Sequence, residues 1–105
     1  MEAALGRQPR LEQRCFSPAE REYSNRCRRP GQHFAARFAA KEAVAKALQI
    51  GVRWREIEII GAGGPPRVAL SGRTRAAAAG RRVMVSLSHS GDIAMAVAVA
   101  HRSRE

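Results

Sequence analysis

One alanine-rich run, residues 32–48, decides most of what this chain can fold into. It lies between Pro30-Gly31, a break, and Gln49-Ile50-Gly51, a stop, and alanine is the strongest helix former. Phe34, Phe38, Glu42 and Lys46 recur every four residues along it, so they form one stripe drifting slowly around the helix axis. The stripe begins aromatic and ends charged. Its apolar half demands burial, which puts Glu42 and Lys46 at the rim of the core.

The rest of the chain is read outward from that helix. Residues 2–14 predict a basic helix broken near Pro9. Ser17-Pro-Ala-Glu20 is a helix start, with a serine cap, a proline in the first turn and a glutamate three residues after the cap; this second helix is expected to reach about Arg28. Downstream, Arg55–Ile60 alternates and predicts a strand with Ile57 and Ile59 facing the core. Gly61–Pro66 is a turn, residues 67–71 a paired strand and residues 73–80 a short helix. Residues 83–88 and 93–100 predict two more strands, joined as a hairpin through a Ser88–Asp92 loop. The last strand alternates large residues with alanines, which predicts cover on both faces. Helices first and hairpins later give an α+β domain, N-terminal helices packed on an antiparallel sheet. The 105 residues hold no repeat and no linker, so residues 1–105 form a single domain. A chain this short buries a modest core, and oligomerisation would support it.

The charge points to an anionic partner. The formal net charge is +10, which suits nucleic acid, a membrane surface, an acidic protein or a phosphorylated ligand. No apolar run approaches the roughly 20 residues of a membrane span, and the first residues lack the apolar core of a signal peptide, so the expected location is cytoplasmic. Cys15 and Cys27 have no metal-ligand spacing and are expected to be free thiols.

Of the nineteen lysines and arginines only Lys41 and Lys46 are lysine. A chain that writes arginine everywhere else uses a compact ammonium twice in one helix, where a point charge and a planar fork are not equivalent. Glu42 is the only acid between Glu22 and Glu56. Two readings of Glu42 and Lys46 compete. One is an intrahelical salt bridge worth about 0.2–0.5 kcal/mol. The other makes Glu42 an oxygen ligand for Mg²⁺, with Lys46 on a phosphate. Lys41, on another face, reads as a solvated or backbone-capping charge, with a phosphate role as the alternative. Val85-Ser-Leu-Ser-His-Ser90 reads either as a polar turn or as a phosphate-holding loop with His89 as a titratable group. No Gly-x-Ser-x-Gly elbow accompanies it. Gly61-Ala-Gly-Gly-Pro-Pro66 reads as a hairpin turn more readily than as a phosphate loop, because it lacks the lysine-threonine ending. Arg7, Arg10 and Arg14 share a helix face, either a solvated face or a docking surface for an acidic partner. His33 and His101 suggest no role.

Taken in order, Arg37-Phe-Ala-Ala-Lys-Glu-Ala-x-x-Lys-Ala-Leu48, Trp54-Arg-Glu-Ile-Glu-Ile59, Gly64-x-Pro66 and Val85-Ser-Leu-Ser-His89 resemble the holo-(acyl-carrier-protein) synthases, small trimeric 4′-phosphopantetheinyl transferases. The resemblance spans nearly the whole chain, and Lys-Glu-Ala-x-x-Lys is its most specific block. It implies Mg²⁺-dependent transfer of phosphopantetheine from coenzyme A to a serine of an apo acyl carrier protein, in fatty-acid synthesis, polyketide assembly or another pathway. It further implies that Glu42 is a Mg²⁺ ligand that helps position an activating water, and that Lys46 stabilises the pyrophosphate. Ser88 and His89 would contact coenzyme A phosphates with Arg37 nearby, while Gly64 and Pro66 line the nucleotide pocket. Arg7, Gln8, Arg10 and Arg14 would lie on the carrier-docking helix, and the sites would lie between subunits of a homotrimer.

The chain departs from the family pattern twice. Family members usually begin with a strand ending in Gly-Ile-Asp or similar, whose aspartate is a second metal ligand, and this pattern has no counterpart here. A site with one carboxylate is expected to hold Mg²⁺ more weakly, so the 105-residue form is expected to be weakly active or inactive. Gln49-Ile50-Gly51 stands where the family has Gly-Thr-Gly. Two rival classes follow from the residues. A nucleic-acid-binding module fits the arginines, but Phe16, Tyr23, Phe34, Phe38 and Trp54 form no stacking series among them. A non-catalytic remnant that docks an acidic carrier fits the same charge.

Overall fold

A computed structural model describes residues 9–27, 30–61, 65–90 and 93–102. Helix α1 (Pro9–Cys15), α2 (Pro18–Arg26) and the long α3 (Pro30–Ala47) come first. A 3₁₀ turn (Trp54–Glu56) leads into β1 (Ile57–Ile60), followed by β2 (Arg67–Leu70), α4 (Gly72–Ala78), β3 (Arg82–Ser90) and β4 (Ile93–His101). The strands form two antiparallel pairs, β1 with β2 and β3 with β4. The α+β expectation is met.

Local chemistry explains the boundaries. Ser17 and Glu20 form a reciprocal capping box at the start of α2: Glu20 N–H donates to Ser17 Oγ at 3.2 Å and Ser17 N–H donates to Glu20 Oε1 at 2.9 Å. Pro30, expected as a break, is instead the first residue of α3, a position where its missing N–H costs nothing. Arg55 and Glu56 turn as 3₁₀ helix, so β1 begins at Ile57. Gln49 adopts the left-handed conformation, φ 59°, just past α3. The expected segment 2–8 of the first helix lies outside the described residues.

Two corrections concern the C-terminal hairpin. The expected Ser88–Asp92 loop is shorter, because β3 continues through Ser90, with Ser88 opposite Met95 and His89 opposite Ala94. Ser88 and His89 are therefore strand residues. The last strand is not covered on both faces within the single chain. Its alanines Ala96, Ala98 and Ala100 are half-buried against the main core, whereas Ile93, Met95, Val97 and Val99 are 52–65% exposed. Small residues let α3 approach the sheet closely, and the bulky ones turn outward.

The main core gathers Ala40, Val44 and Ala45 of α3 and Leu48 just past its end with Ile57 and Ile59 of β1 and Ala78 of α4. Ile57 and Ile59 are 0% and 2% exposed, as their alternation predicts. A second cluster packs Cys15 and Phe16 against Phe34, with Phe38 and Trp54 alongside; the Phe38 and Trp54 rings stack with centroids 4.3 Å apart. The aromatic half of the α3 stripe is thus spent on packing. Cys15 and Cys27 are free thiols, and burial pushes the Cys15 thiol up, opposed by Lys41 and Arg14. Among the described residues no helix is long and apolar enough to cross a membrane.

Lys41 overturns the reading of a solvated charge. It is fully buried, and its ammonium donates to Glu20 Oε1 at 2.7 Å, to the Cys15 carbonyl at 2.6 Å and to the Trp54 carbonyl at 2.9 Å. All three of its protons are used. The backbone-capping half of the expectation holds, since two acceptors are carbonyls. Burial pushes its pKa down, opposed chiefly by the Glu20 charge. Glu20 in turn accepts the Ile59 N–H at 2.8 Å. One buried ion pair therefore ties α1, α2, the 3₁₀ turn and β1 to the middle of α3, directly beside Glu42.

Candidate active site

Helix α3 is the scaffold of the site. Its N-terminal half carries His33 and Arg37 one turn apart on a face turned toward α2. Arg37 is 5% exposed; its Nη2 donates to the Gly61 carbonyl at 3.3 Å and its guanidinium lies 4.8 Å from the Tyr23 ring centroid. Its Nε is buried without a hydrogen-bond partner. Arg37 lines a cleft of about 390 Å³ with Tyr23, Arg26, Glu58, Ile60 and Gly61. A buried guanidinium with an unspent donor beside an open cleft suits an anionic or polar guest. Glu58, on the cleft wall, accepts the Ser17 hydroxyl at 2.5 Å.

His33 extends this cluster to the sheet. Its ring meets Tyr23 edge-on, 5.9 Å between centroids, and lies 6.0 Å from the His89 ring. Burial, with Arg37 and His89 adding like charge, pushes the His33 pKa down. Tyr23 and His33 were missed in the sequence. The signal for His33 is its position four residues before Arg37, on the same helical face.

The other end of α3 carries Glu42 and Lys46, half-buried and exposed respectively, at the rim as the stripe predicts. The intrahelical salt bridge is not formed: among the described residues the one carboxylate–ammonium pair is Glu20–Lys41. Glu42 starts about 7.5 Å along the axis from Arg37, at 1.5 Å per residue, so the structure of one chain holds these two sets apart.

The remaining predicted residues are dispersed. Ser88 and His89 are exposed near the end of β3, and Pro66 is half-buried before β2. Arg10 and Arg14 are exposed on α1. Gly64, Arg7 and Gln8 lie outside the described residues. The structure brings Arg37 and His89 into one cluster through Tyr23 and His33, and joins Arg37 to the loop at Gly61; it shows no contact of this cluster with Arg10, Arg14 or Lys46.

Comparison with known proteins gives this geometry its family. A family model described as the 4'-phosphopantetheinyl transferase superfamily matches residues 2–98, and the chain belongs to that superfamily. Within it, the chain is 47% identical to a holo-[acyl-carrier-protein] synthase of Moorella thermoacetica, covering 98% of this chain and 86% of the relative. It is 46% identical to the holo-[acyl-carrier-protein] synthase of Beutenbergia cavernae, over 95% of this chain and 86% of the relative. The crystal structure of the Neisseria meningitidis holo-[acyl-carrier-protein] synthase superposes with a TM-score of 0.80 at 28% identity, covering 95% of this chain and 86% of that one. The Helicobacter pylori enzyme, solved in complex with coenzyme A, superposes with a TM-score of 0.77 at 26% identity, over 94% and 88% of the two chains. The resemblance carried by the four sequence blocks is met.

Proposed function

We propose that this chain transfers 4′-phosphopantetheine from coenzyme A to a serine hydroxyl of an apo acyl carrier protein. The serine oxygen attacks the phosphorus that bears the pantetheine, and the bond from that phosphorus to the bridging oxygen breaks. The electron pair leaves on adenosine 3′,5′-bisphosphate. The hydroxyl proton passes to a water positioned by Glu42. The observation that carries this reading is the pair Glu42 and Lys46: they share the rim of α3, and neither is spent on the other.

The donors present fit Mg²⁺. Glu42 is a half-buried carboxylate with no ion-pair or hydrogen-bond partner among the described residues. Among the described residues no three His, Cys, Asp or Glu side chains gather into a closed cage. That set matches an ion held by one or two carboxylates, water and substrate phosphates, and not a closed four-ligand zinc site. When bound by Glu42, Mg²⁺ would supply charge neutralisation at the diphosphate. Lys46 presents a compact ammonium to the same diphosphate. Arg37 and His89, with Ser88 beside it, offer donors to the coenzyme phosphates, while Gly64 and Pro66 bound the nucleotide. Arg10 and Arg14, exposed on α1, form a basic docking face for an acidic carrier, where charge sets the encounter rate; Arg7 and Gln8, assigned to the same role by the resemblance, lie outside the described residues.

The site is completed between subunits of a homotrimer. Met84, Ile93, Met95, Val97 and Val99 leave one face of the β3–β4 hairpin uncovered, each at least 52% exposed, and a contiguous apolar face of this kind marks an interface. Further copies of the chain are its occupant. Sedimentation of the protein should give a trimer, and Val97→Lys should dissociate it; a monomeric parent protein would refute the assembly.

The aromatics argue against nucleic-acid binding as the main role. Phe16 and Phe34 are core, Phe38 and Trp54 stack on each other, and Tyr23 is engaged by Arg37 and His33. The test of the transferase reading is the intact mass of an apo acyl carrier protein after incubation with this protein, coenzyme A and Mg²⁺. A phosphopantetheine mass increment that vanishes with Glu42→Gln supports it. No increment with any apo carrier, from a folded protein, would overturn it.

A further inference from the structure

The cluster around Tyr23 gathers one guanidinium and two imidazoles. Arg37 lies over one side of the ring, and His33 meets its edge. His89 reaches the far side of His33 from β3. Three elements thus converge on one spot: α3 contributes Arg37 and His33, β3 contributes His89, and α2 supplies the neutral Tyr23 ring between them. Among the described residues the charged and titratable groups acting on His33 are Arg37 from its own helix and His89 from β3, with the Tyr23 ring on α2 at its edge; Arg26 of α2 and Glu58 of β1 line the adjoining cleft. Such grouping raises the energy of the empty site, because like charges repel. It is repaid only when an anion arrives.

We propose that His33 is a second imidazole of the coenzyme phosphate site, paired with His89, and that it takes up a proton as the phosphate monoester on the coenzyme ribose arrives. This inference rests on the transferase reading and deepens it. In the empty protein the imidazole is held neutral by burial, Arg37 and His89. A phosphate dianion reverses the local field and favours imidazolium, which then donates a charge-assisted hydrogen bond. Binding and protonation are linked, so coenzyme affinity falls as pH rises above the His33 range, by up to about tenfold per pH unit for one proton. The monoester itself titrates near pH 6 with the opposite sign, and it does so identically in every variant. The difference between variants therefore isolates His33.

The experiment is calorimetric titration of coenzyme A into the full chain between pH 6 and pH 8, in two buffers of different ionisation enthalpy. Dephospho-coenzyme A, which lacks the monoester, is the second probe. The parent should take up a proton on binding coenzyme A and a smaller fraction on binding the dephospho form. His33→Phe keeps a ring against Tyr23, so the melting temperature should hold while coenzyme A affinity at pH 6 drops about tenfold and the pH slope flattens. His33→Arg should restore affinity and leave only the pH slope of the monoester itself, a pattern that a packing role would not produce. An unchanged pH slope and affinity in a folded His33→Phe protein would overturn the inference and leave the transferase reading intact. Failure of the parent to bind coenzyme A at any pH would overturn both.

Discussion

Lys41→Met tests the buried ion pair that holds α3 against the rest of the molecule. Methionine keeps the unbranched stem and its packing near Phe16, whose ring centroid lies 4.9 Å from Lys41 Nζ. It removes only the ammonium. The carbonyls of Cys15 and Trp54 then lose donors at 2.6 and 2.9 Å. The Glu20 carboxylate, 3% exposed, loses its counter-charge and keeps only the N–H groups of Ser17 and Ile59. Removing one partner of a buried pair costs about 3–5 kcal/mol. A domain of this length is stable by roughly 5–15 kcal/mol in total, so the loss takes at least about a fifth of it and lowers Tm by about 12 °C or more. Urea unfolding followed by the fluorescence of Trp54, the sole tryptophan, measures it at fixed protein concentration. Adding Glu20→Gln removes the stranded charge, so the double variant should be more stable than Lys41→Met alone. A cost below about 1 kcal/mol for Lys41→Met, with a cooperative transition, would refute the reasoning, as would a double variant whose losses simply add.

Other outcomes are expected from the same structure. Glu42→Gln should abolish Mg²⁺-dependent transfer while shifting the urea midpoint little, because Glu42 has no ion-pair or hydrogen-bond partner among the described residues; a normal rate measured by carrier mass shift would refute its role. Lys46→Arg should lower the transfer rate, since a guanidinium cannot reproduce a point charge; full activity would show that any cation serves there. Gly72→Ala should destabilise by about 1–2 kcal/mol, because Gly72 has φ 58° and a methyl group there would meet the Glu56 carboxylate; calorimetry showing no loss would refute it. Glu56 accepts both the N–H and the hydroxyl of Thr74, which hold its carboxyl below the usual carboxylate range. Its contribution is therefore present above the unfolded value of 4.5 and is lost as pH falls through the lower folded value. Urea midpoints from pH 7 to pH 3 should fall less steeply for Glu56→Gln than for the parent protein; equal slopes would refute it.

The elements were legible where local rules decide them. The Ser17–Glu20 box, the alternation of Ile57 and Ile59, and the four-residue stripe of α3 each depend on neighbours in sequence, and each appears where its pattern places it. Lys41 was legible only as a compositional oddity. What makes it central is a meeting of Cys15, Glu20 and Trp54 from three separate segments, and no spacing rule carries that information. The oddity itself has a physical cause in the structure: three acceptors converge on one point at hydrogen-bond distance, and an ammonium fits that point as a planar guanidinium does not. The same reasoning separates the two lysines. Lys41 is a lysine because its three acceptors converge on one buried point, whereas Lys46, five residues later, is exposed at the rim. His33 carried only a weak signal, its place four residues before Arg37 on one helical face. Its contact with His89, 6.0 Å between ring centroids, spans 56 positions of sequence. Sites assembled from distant segments are where sequence periodicity is silent, because the contacts that define them are set by packing of the whole core.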